Sequence, residues 1–230
     1  FTGWKNIPEL DNVGYPIAYL SDDTTFHITK PEKTGGLVNK YTIIEQILYE
    51  MGDPKNYISP DVVVDFTSFS LNEISDNVVE VSGVKGYPAT DTYKVSINYF
   101  NGYKASGQLT ISGPDALEKA EFTSKLIWSR LENAGINFDE TLTEYLGVSS
   151  CHGNKIKEFT SEPNEVVLRL SVRDNDKNKI IRFGKELAPV ITSGPPGVTG
   201  FSGGRPRPQE IIAFWPCLIN KKHIKIKVIS

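Results

Sequence analysis

Between residues 108 and 214 the spacing of apolar side chains switches back and forth between a period of two and a helical period. That succession narrows the possible folds more than any other feature. An alternating run ends at Ile111. A helical run follows, opened by Gly113-Pro114-Asp115, with Leu117, Ala120, Ser124, Ile127 and Leu131 on one face and Gly135 as its stop. Two strand-like runs come next, at 141–148 and 165–172. A second helix then begins after Asp174 or Asp176, turns Ile180, Ile181, Phe183 and Leu187 inward, and is expected to end at Pro189. A strand at 210–214 completes the order strand, helix, strand, strand, helix, strand. The expectation is an α+β fold with a mainly antiparallel sheet, a ferredoxin-like βαββαβ portion and added hairpin strands.

The remaining segments attach to that frame. Residues 15–20 and 24–29 read as a hairpin around Ser21-Asp22-Asp23. Ile43, Ile44, Ile47, Leu48 and Met51 recur at helical spacing before Gly52 and Pro54. Residues 57–60 form a turn, Val62, Val63 and Val64 a short buried strand ending in Asp65, and 78–81 another strand. Residues 92–100 and 104–111 are expected to pair as a hairpin through Asn101-Gly102, the strongest short turn signal in the chain. Helix 114–133 should pack on their apolar face. A last strand is expected at 224–229, with Lys221, Lys222, Lys225 and Lys227 on its wet side. Residues 1–90 read as an N-terminal portion of one core and 91–230 as the ferredoxin-like portion.

Composition bounds the function. With 230 residues, 39% of them hydrophobic, the chain buries a core without needing a metal or disulfide. A net charge of −3 argues against a nucleic-acid surface. Cys151 and Cys217 are far apart, and His27, His152 and His223 are scattered, so no zinc-ligand spacing exists. Cys151-His152 reads as a loop pair, because adjacent residues rarely aim at a common point. No apolar run approaches the ~20 residues that span a bilayer. A cytoplasmic location is expected. The start at Phe1-Thr2-Gly3-Trp4, without an initiator Met, suggests a fragment or a processed piece.

Four segments suggest chemistry. Residues 193–208 hold Gly194, Gly197, Gly200, Gly203 and Gly204 with four prolines, so stiff backbone can bring amides close to a ligand. Arg205 and Arg207 add planar donors, and the segment reads as an anion cradle. It is not a Walker loop, since no Gly-Lys-Ser/Thr ends it. Gly35 and Gly36 stand before a helix, where exposed amides attract anions and Lys30 or Lys33 completes a site. Asp65, at the end of an apolar strand, and Lys94, in an alternating one, are candidates for handling protons. The competing readings are structural: a rigid crossover loop, a plain helix entry, a turn cap and a solvent-facing lysine.

Four segments resemble the AtuA family, named for acyclic terpene utilisation. They are Thr34-Gly35-Gly36-Leu37-Val38; Gln46-Ile47-Leu48-Tyr49-Glu50 through Gly52-Asp53-Pro54 to Tyr57; Pro60-Asp61-Val62 with Asp65-Phe66 and Tyr93-Lys94-Val95; and 193–208 continuing into Phe214-Trp215-Pro216. Phe1-Thr2-Gly3-Trp4 resembles a motif near the middle of the family core, so the chain looks like the C-terminal half of that core. The resemblance implies a bacterial-type metabolic protein of acyclic terpenoid or related carboxylic-acid and acyl-CoA catabolism. On this reading the partners are a small-molecule carboxylate or acyl-CoA, the absent N-terminal half and a second copy of the chain; no cofactor is implied. The leading function is an enzyme whose 193–208 loop clamps an anionic group through Arg205 and Arg207. The alternative is a docking module for a partner such as an acyl-CoA carboxylase.

Overall fold

The computed structural model describes residues 3–155, 162–200 and 203–227. It divides into two compact units, the first comprising Phe1–Val95 with Leu218–Ser230 and the second Ser96–Cys217. The fold is α+β with mostly antiparallel sheets.

In the first unit, β1 (Ile17–Leu20) and β2 (Phe26–Thr29) form the expected hairpin. α1 (Lys40–Ile47) follows. β3 (Tyr57–Ile58), β4 (Val62–Asp65), β5 (Ser70–Ser75), β6 (Val78–Ser82) and β7 (Lys85–Pro88) complete the set. One sheet has the order β1-β2-β6-β5 and a second β3-β4-β7, antiparallel throughout. α1 starts where it does because Asn39 caps it: its side chain accepts from the Tyr41 and Thr42 amides at 3.0 Å, while its own amide donates to the Thr42 hydroxyl. The core is small, with Ile43, Val79 and Val81 buried beneath Phe26, Ile28, Val38, Ile47, Phe69 and Leu71.

The second unit is built on β8 (Thr92–Ser112), whose N-terminal end belongs to the first unit. α2 (Ala116–Asn133), β9 (Glu140–Leu146), β10 (Glu165–Asp174), α3 (Lys177–Ser193), the short β11 (Val198–Thr199) and β12 (Gln209–Asn220) follow. The hydrogen-bonded order is β11-β8-β10-β9, with β12 also pairing β8. Strict alternation on β10 turns Val166, Leu168, Leu170 and Val172 inward. These residues meet Ile127 and Leu131 of α2 and Ile180, Phe183 and Leu187 of α3 in one core. α2 stops at a Schellman arrangement: Gly135 has φ 73°, the Ile136 amide reaches the Leu131 carbonyl, and the Gly135 amide reaches that of Glu132.

Several expectations need correction. Residues 92–111 do not fold back at Asn101-Gly102; β8 runs straight through, and its antiparallel partner is β10, with Tyr103 opposite Asp174. Gly102 does adopt positive φ (86°), but as a kink in a continuous strand. Arg173 of β10 holds Asn101 there by donating to its Oδ1 at 2.8 Å. Helix 114–133 therefore packs against one face of a shared sheet, not of a two-stranded hairpin. Pro189 does not end α3. It lies inside the helix, whose buried Leu187 and Val190 flank it, and its missing N–H removes one backbone bond. Ile181 is 37% exposed and lies off the buried face. Residues 57 and 58 are paired with β4 where a turn was expected. Lys221–His223 form a 3-10 helix and residues 224–227 no strand, because Asn220 caps the turn and Lys221 is tied to the Asp91 and Pro60 carbonyls. The remainder of that expected strand, 228 and 229, lies outside the described residues, as do Phe1, Thr2, Phe201, Ser202 and residues 156–161 of the 149–164 loop.

Candidate functional site

An apolar concavity belongs to the first unit. The segment leading to β1, the β1–β2 hairpin and α1 enclose about 510 Å³, within the roughly 300–1,000 Å³ of ordinary small-molecule pockets. Phe26, Ile28, Leu37, Val38, Ile43 and Ile47 supply most of the wall, and Lys30 is the one charged residue in the lining among the described residues. Thr42 and Gln46 of α1 and Tyr15 at the rim add polar atoms. The Lys30 ammonium donates to the Thr34 carbonyl. An ammonium has three donors, so two remain for a ligand.

Gly35 and Gly36 form part of this wall, but their amides do not form a cradle. The Gly35 amide donates to the Asn12 carbonyl at 3.0 Å and that of Gly36 to Pro8 at 2.8 Å. The start of α1 is equally occupied: Asn77 accepts from Val38, Glu73 from Lys40, and Asn39 from Tyr41 and Thr42. The glycines serve close packing instead. A Cβ on Gly35 would lie 2.1 Å from the Glu9 carbonyl oxygen, and Gly36 has φ 87°. They tie residues 8–13 to the loop before α1 and hold the cavity mouth in shape, leaving Lys30 to meet any anion.

Asp65 and Lys94 do not line this cavity. Asp65 is buried at the end of β4, where Oδ1 accepts from the Thr67 hydroxyl at 2.5 Å and the Thr67 amide at 2.9 Å. The Thr67 hydroxyl holds its carboxyl below the ordinary value against the opposing effect of burial; the Thr67 amide and the charges of Lys55 and Lys85 add to the lowering. A carboxylate so well supplied with donors is a poor proton acceptor, and its observed contacts are those of a turn cap. Lys94 lies on the exposed side of β8.

The 193–208 segment belongs to the second unit and divides in two. Gly197 (φ 88°) begins β11: its carbonyl accepts from the Ser112 amide, and a Cβ there would lie 2.5 Å from the Ser112 hydroxyl. Gly200 borders a small recess of about 160 Å³ beside Ile191. Gly203, Gly204, Arg205 and Arg207 come together along a cleft of about 820 Å³ with Ser106, Gln108 and Gln209. Two glycines that the sequence reading passed over shape it. A Cβ on Gly107 would come within 2.8 Å of the Pro206 ring, and one on Gly184 within 2.4 Å of the Pro206 carbonyl oxygen. An isolated glycine inside a helical pattern, as Gly184 is, was the signal that something packs there.

Among the described residues no group of three or more His, Cys, Asp or Glu side chains is gathered as a metal site would require. No helix among them is long and apolar enough to cross a membrane. The model of the family described as acyclic terpene utilisation family protein AtuA matches residues 1–230, the whole chain. No curated protein and no solved structure matches it.

Proposed function

Since the chain belongs to the AtuA family of acyclic terpene utilisation, we propose that it acts on a carboxylate intermediate of acyclic terpenoid or branched-acid catabolism, free or as its acyl-CoA. The observation that carries this reading is the cavity of the first unit: about 510 Å³ of apolar wall with a single cation, Lys30. Apolar walls favour a hydrocarbon chain because they remove it from water, by roughly 0.8 kcal/mol per buried methylene. Lys30 retains donors for a terminal carboxylate or thioester carbonyl, and a charge-assisted bond there orients the chain. Thr42 and Gln46 offer further polar contacts at the same wall.

Calorimetry with citronellate, its coenzyme A thioester and citronellol tests the assignment. Citronellate should bind wild type, and Lys30→Met should weaken it about tenfold, the scale of one charged hydrogen bond, while leaving citronellol unchanged. Gln46→Trp adds bulk at an exposed wall position and should weaken all three ligands. Absence of binding, or affinities indifferent to both substitutions, would overturn it.

A second reading, a docking module for a partner enzyme such as an acyl-CoA carboxylase, draws on one observation. β12 pairs only β8 among the described strands, and it exposes Ile212, Phe214 and Trp215 by 61, 50 and 64%. A strand that exposes apolar side chains at a sheet edge is a template for another chain. Crosslinking at β12 to a carboxylase subunit, together with no citronellate binding, would select that reading.

A further inference from the structure

We propose that the cleft between β8 and residues 203–209 in the second unit binds a ligand of the diphosphate class. The proposal uses residues different from those of the apolar cavity, so either can fail alone. Its first support is charge. Among the described residues the cleft lining holds Arg205, Arg207 and the carboxamides of Gln108 and Gln209, and no carboxylate. Every ionised group there is a cation, in a chain whose overall charge is −3.

Its second support is rigidity. Exposed arginines usually lose much side-chain and backbone freedom when they bind, which weakens them as anchors. Here Arg205 and Arg207 directly flank Pro206, and Pro206 is held from two directions. Its ring lies over Gly107 in β8, and its carbonyl oxygen lies over Gly184 in α3; no side chain larger than hydrogen fits at either position. With Pro206 fixed to a strand and a helix, the backbone on which both guanidinium groups are mounted is fixed as well. Gly204, one residue earlier, adopts φ 72°.

Size and spacing select the ligand. Residues two apart in sequence are mounted at most about 7 Å apart, so the two guanidinium groups meet two neighbouring acidic groups more readily than one. Each guanidinium fork matches the oxygens of a phosphate. The cleft, at about 820 Å³, is broad, and among the described residues its lining is small or polar, which suits a hydrated polyanion better than a hydrocarbon acid. Inorganic diphosphate, nucleoside diphosphates and coenzyme A share this chemistry.

Calorimetry of the whole chain at low salt, with inorganic pyrophosphate, ADP, orthophosphate and succinate, decides the matter. Pyrophosphate and ADP should both bind, at least tenfold more tightly than orthophosphate or succinate. Arg205→Lys and Arg207→Lys keep the charge but lose the fork, and each should weaken pyrophosphate about tenfold with an unchanged near-ultraviolet dichroism spectrum. Lys185→Gln removes an exposed charge on α3 outside the cleft lining and should leave the affinity as it was. No pyrophosphate binding overturns the proposal. So does succinate binding as tightly as pyrophosphate, or equal affinity in the arginine variants, or a loss in Lys185→Gln matching theirs, which would mark a diffuse charge effect.

Discussion

Gly184→Ala puts two local effects of opposite sign against each other. Alanine is favoured over glycine inside a helix by about 0.8–1.0 kcal/mol, so α3 considered alone predicts stabilisation. The added methyl would lie 2.4 Å from the Pro206 carbonyl oxygen and 3.5 Å from its carbon. The first distance is shorter than side-chain carbons ever hold, and the obstacle is backbone, so α3 or the 203–208 segment must move. Overpacking of this kind destabilises by about 1–3 kcal/mol. The net expectation is a loss of about 1 kcal/mol where an exposed helix position would gain about 1 kcal/mol. Urea unfolding followed by dichroism at 222 nm reads this mostly from the second unit, because α2 and α3 contribute 18 and 17 residues and α1 only 8. A lowered midpoint at unchanged slope is the expected result. A raised midpoint would refute the seat of Pro206 on α3.

Two further outcomes follow from the first unit and from β10. Asn39→Ala removes the side-chain acceptor of the cap on α1 and should destabilise that helix by about 1 kcal/mol, seen as faster hydrogen exchange of the Tyr41 and Thr42 amides; unchanged exchange would refute the cap. For Asp174, burial alone would raise the carboxyl, but the Lys179 ammonium at 2.8 Å and the Asp176 amide outweigh it and hold the group below its ordinary 3.8. Its folded-state value is depressed, so its contribution to stability is complete above pH 3.8 and is lost as the pH falls through the lowered value. Asp174→Asn should thus lower the urea midpoint at neutral pH and shrink the difference from wild type near pH 2; a difference independent of pH would contradict this.

What the sequence discloses and what it conceals divides along the range of the interactions. Helices α1, α2 and α3 and strand β10 are legible because their period and stops lie within each segment: Ile43, Ile44 and Ile47 at helical spacing, Gly135 after Asn133, Val166 to Val172 alternating. The Asn101-Gly102 signal misled for a nonlocal reason. Positive φ at Gly102 satisfies a turn and a strand kink equally well, and the choice is made by Arg173 and Asp174, more than seventy residues away. Pro189 misled similarly, since the buried residues on either side of it keep α3 intact. At the candidate sites, Lys30 and the Arg205 segment are visible as residue types, whereas Gly35 and Gly36 proved to be packing glycines whose amides were already engaged. The apolar cavity required the segment from Val13 to Pro16, which carries no motif and becomes a wall only when the Gly35 amide bonds to Asn12.

Glu186 on α3 is buried to 4% exposure, and two arginines reach it. Arg130 of α2 donates from Nε to Oε2 at 2.9 Å, and Arg182, one turn earlier on α3, reaches Oε1 at 2.7 Å. The duplication bears on the routes by which the sequence is free to drift. Either arginine is replaceable while the other still neutralises the carboxylate, so each single change meets little resistance. Removing both first strands a buried charge, the most damaging way to break such an ion pair. Replacing Glu186 with an amide first releases both arginines, whose heads are about half exposed, to the solvent. The same three substitutions are therefore passable in one order and barred in another, and a helix–helix contact that looks merely electrostatic fixes the sequence of steps by which its own residues change.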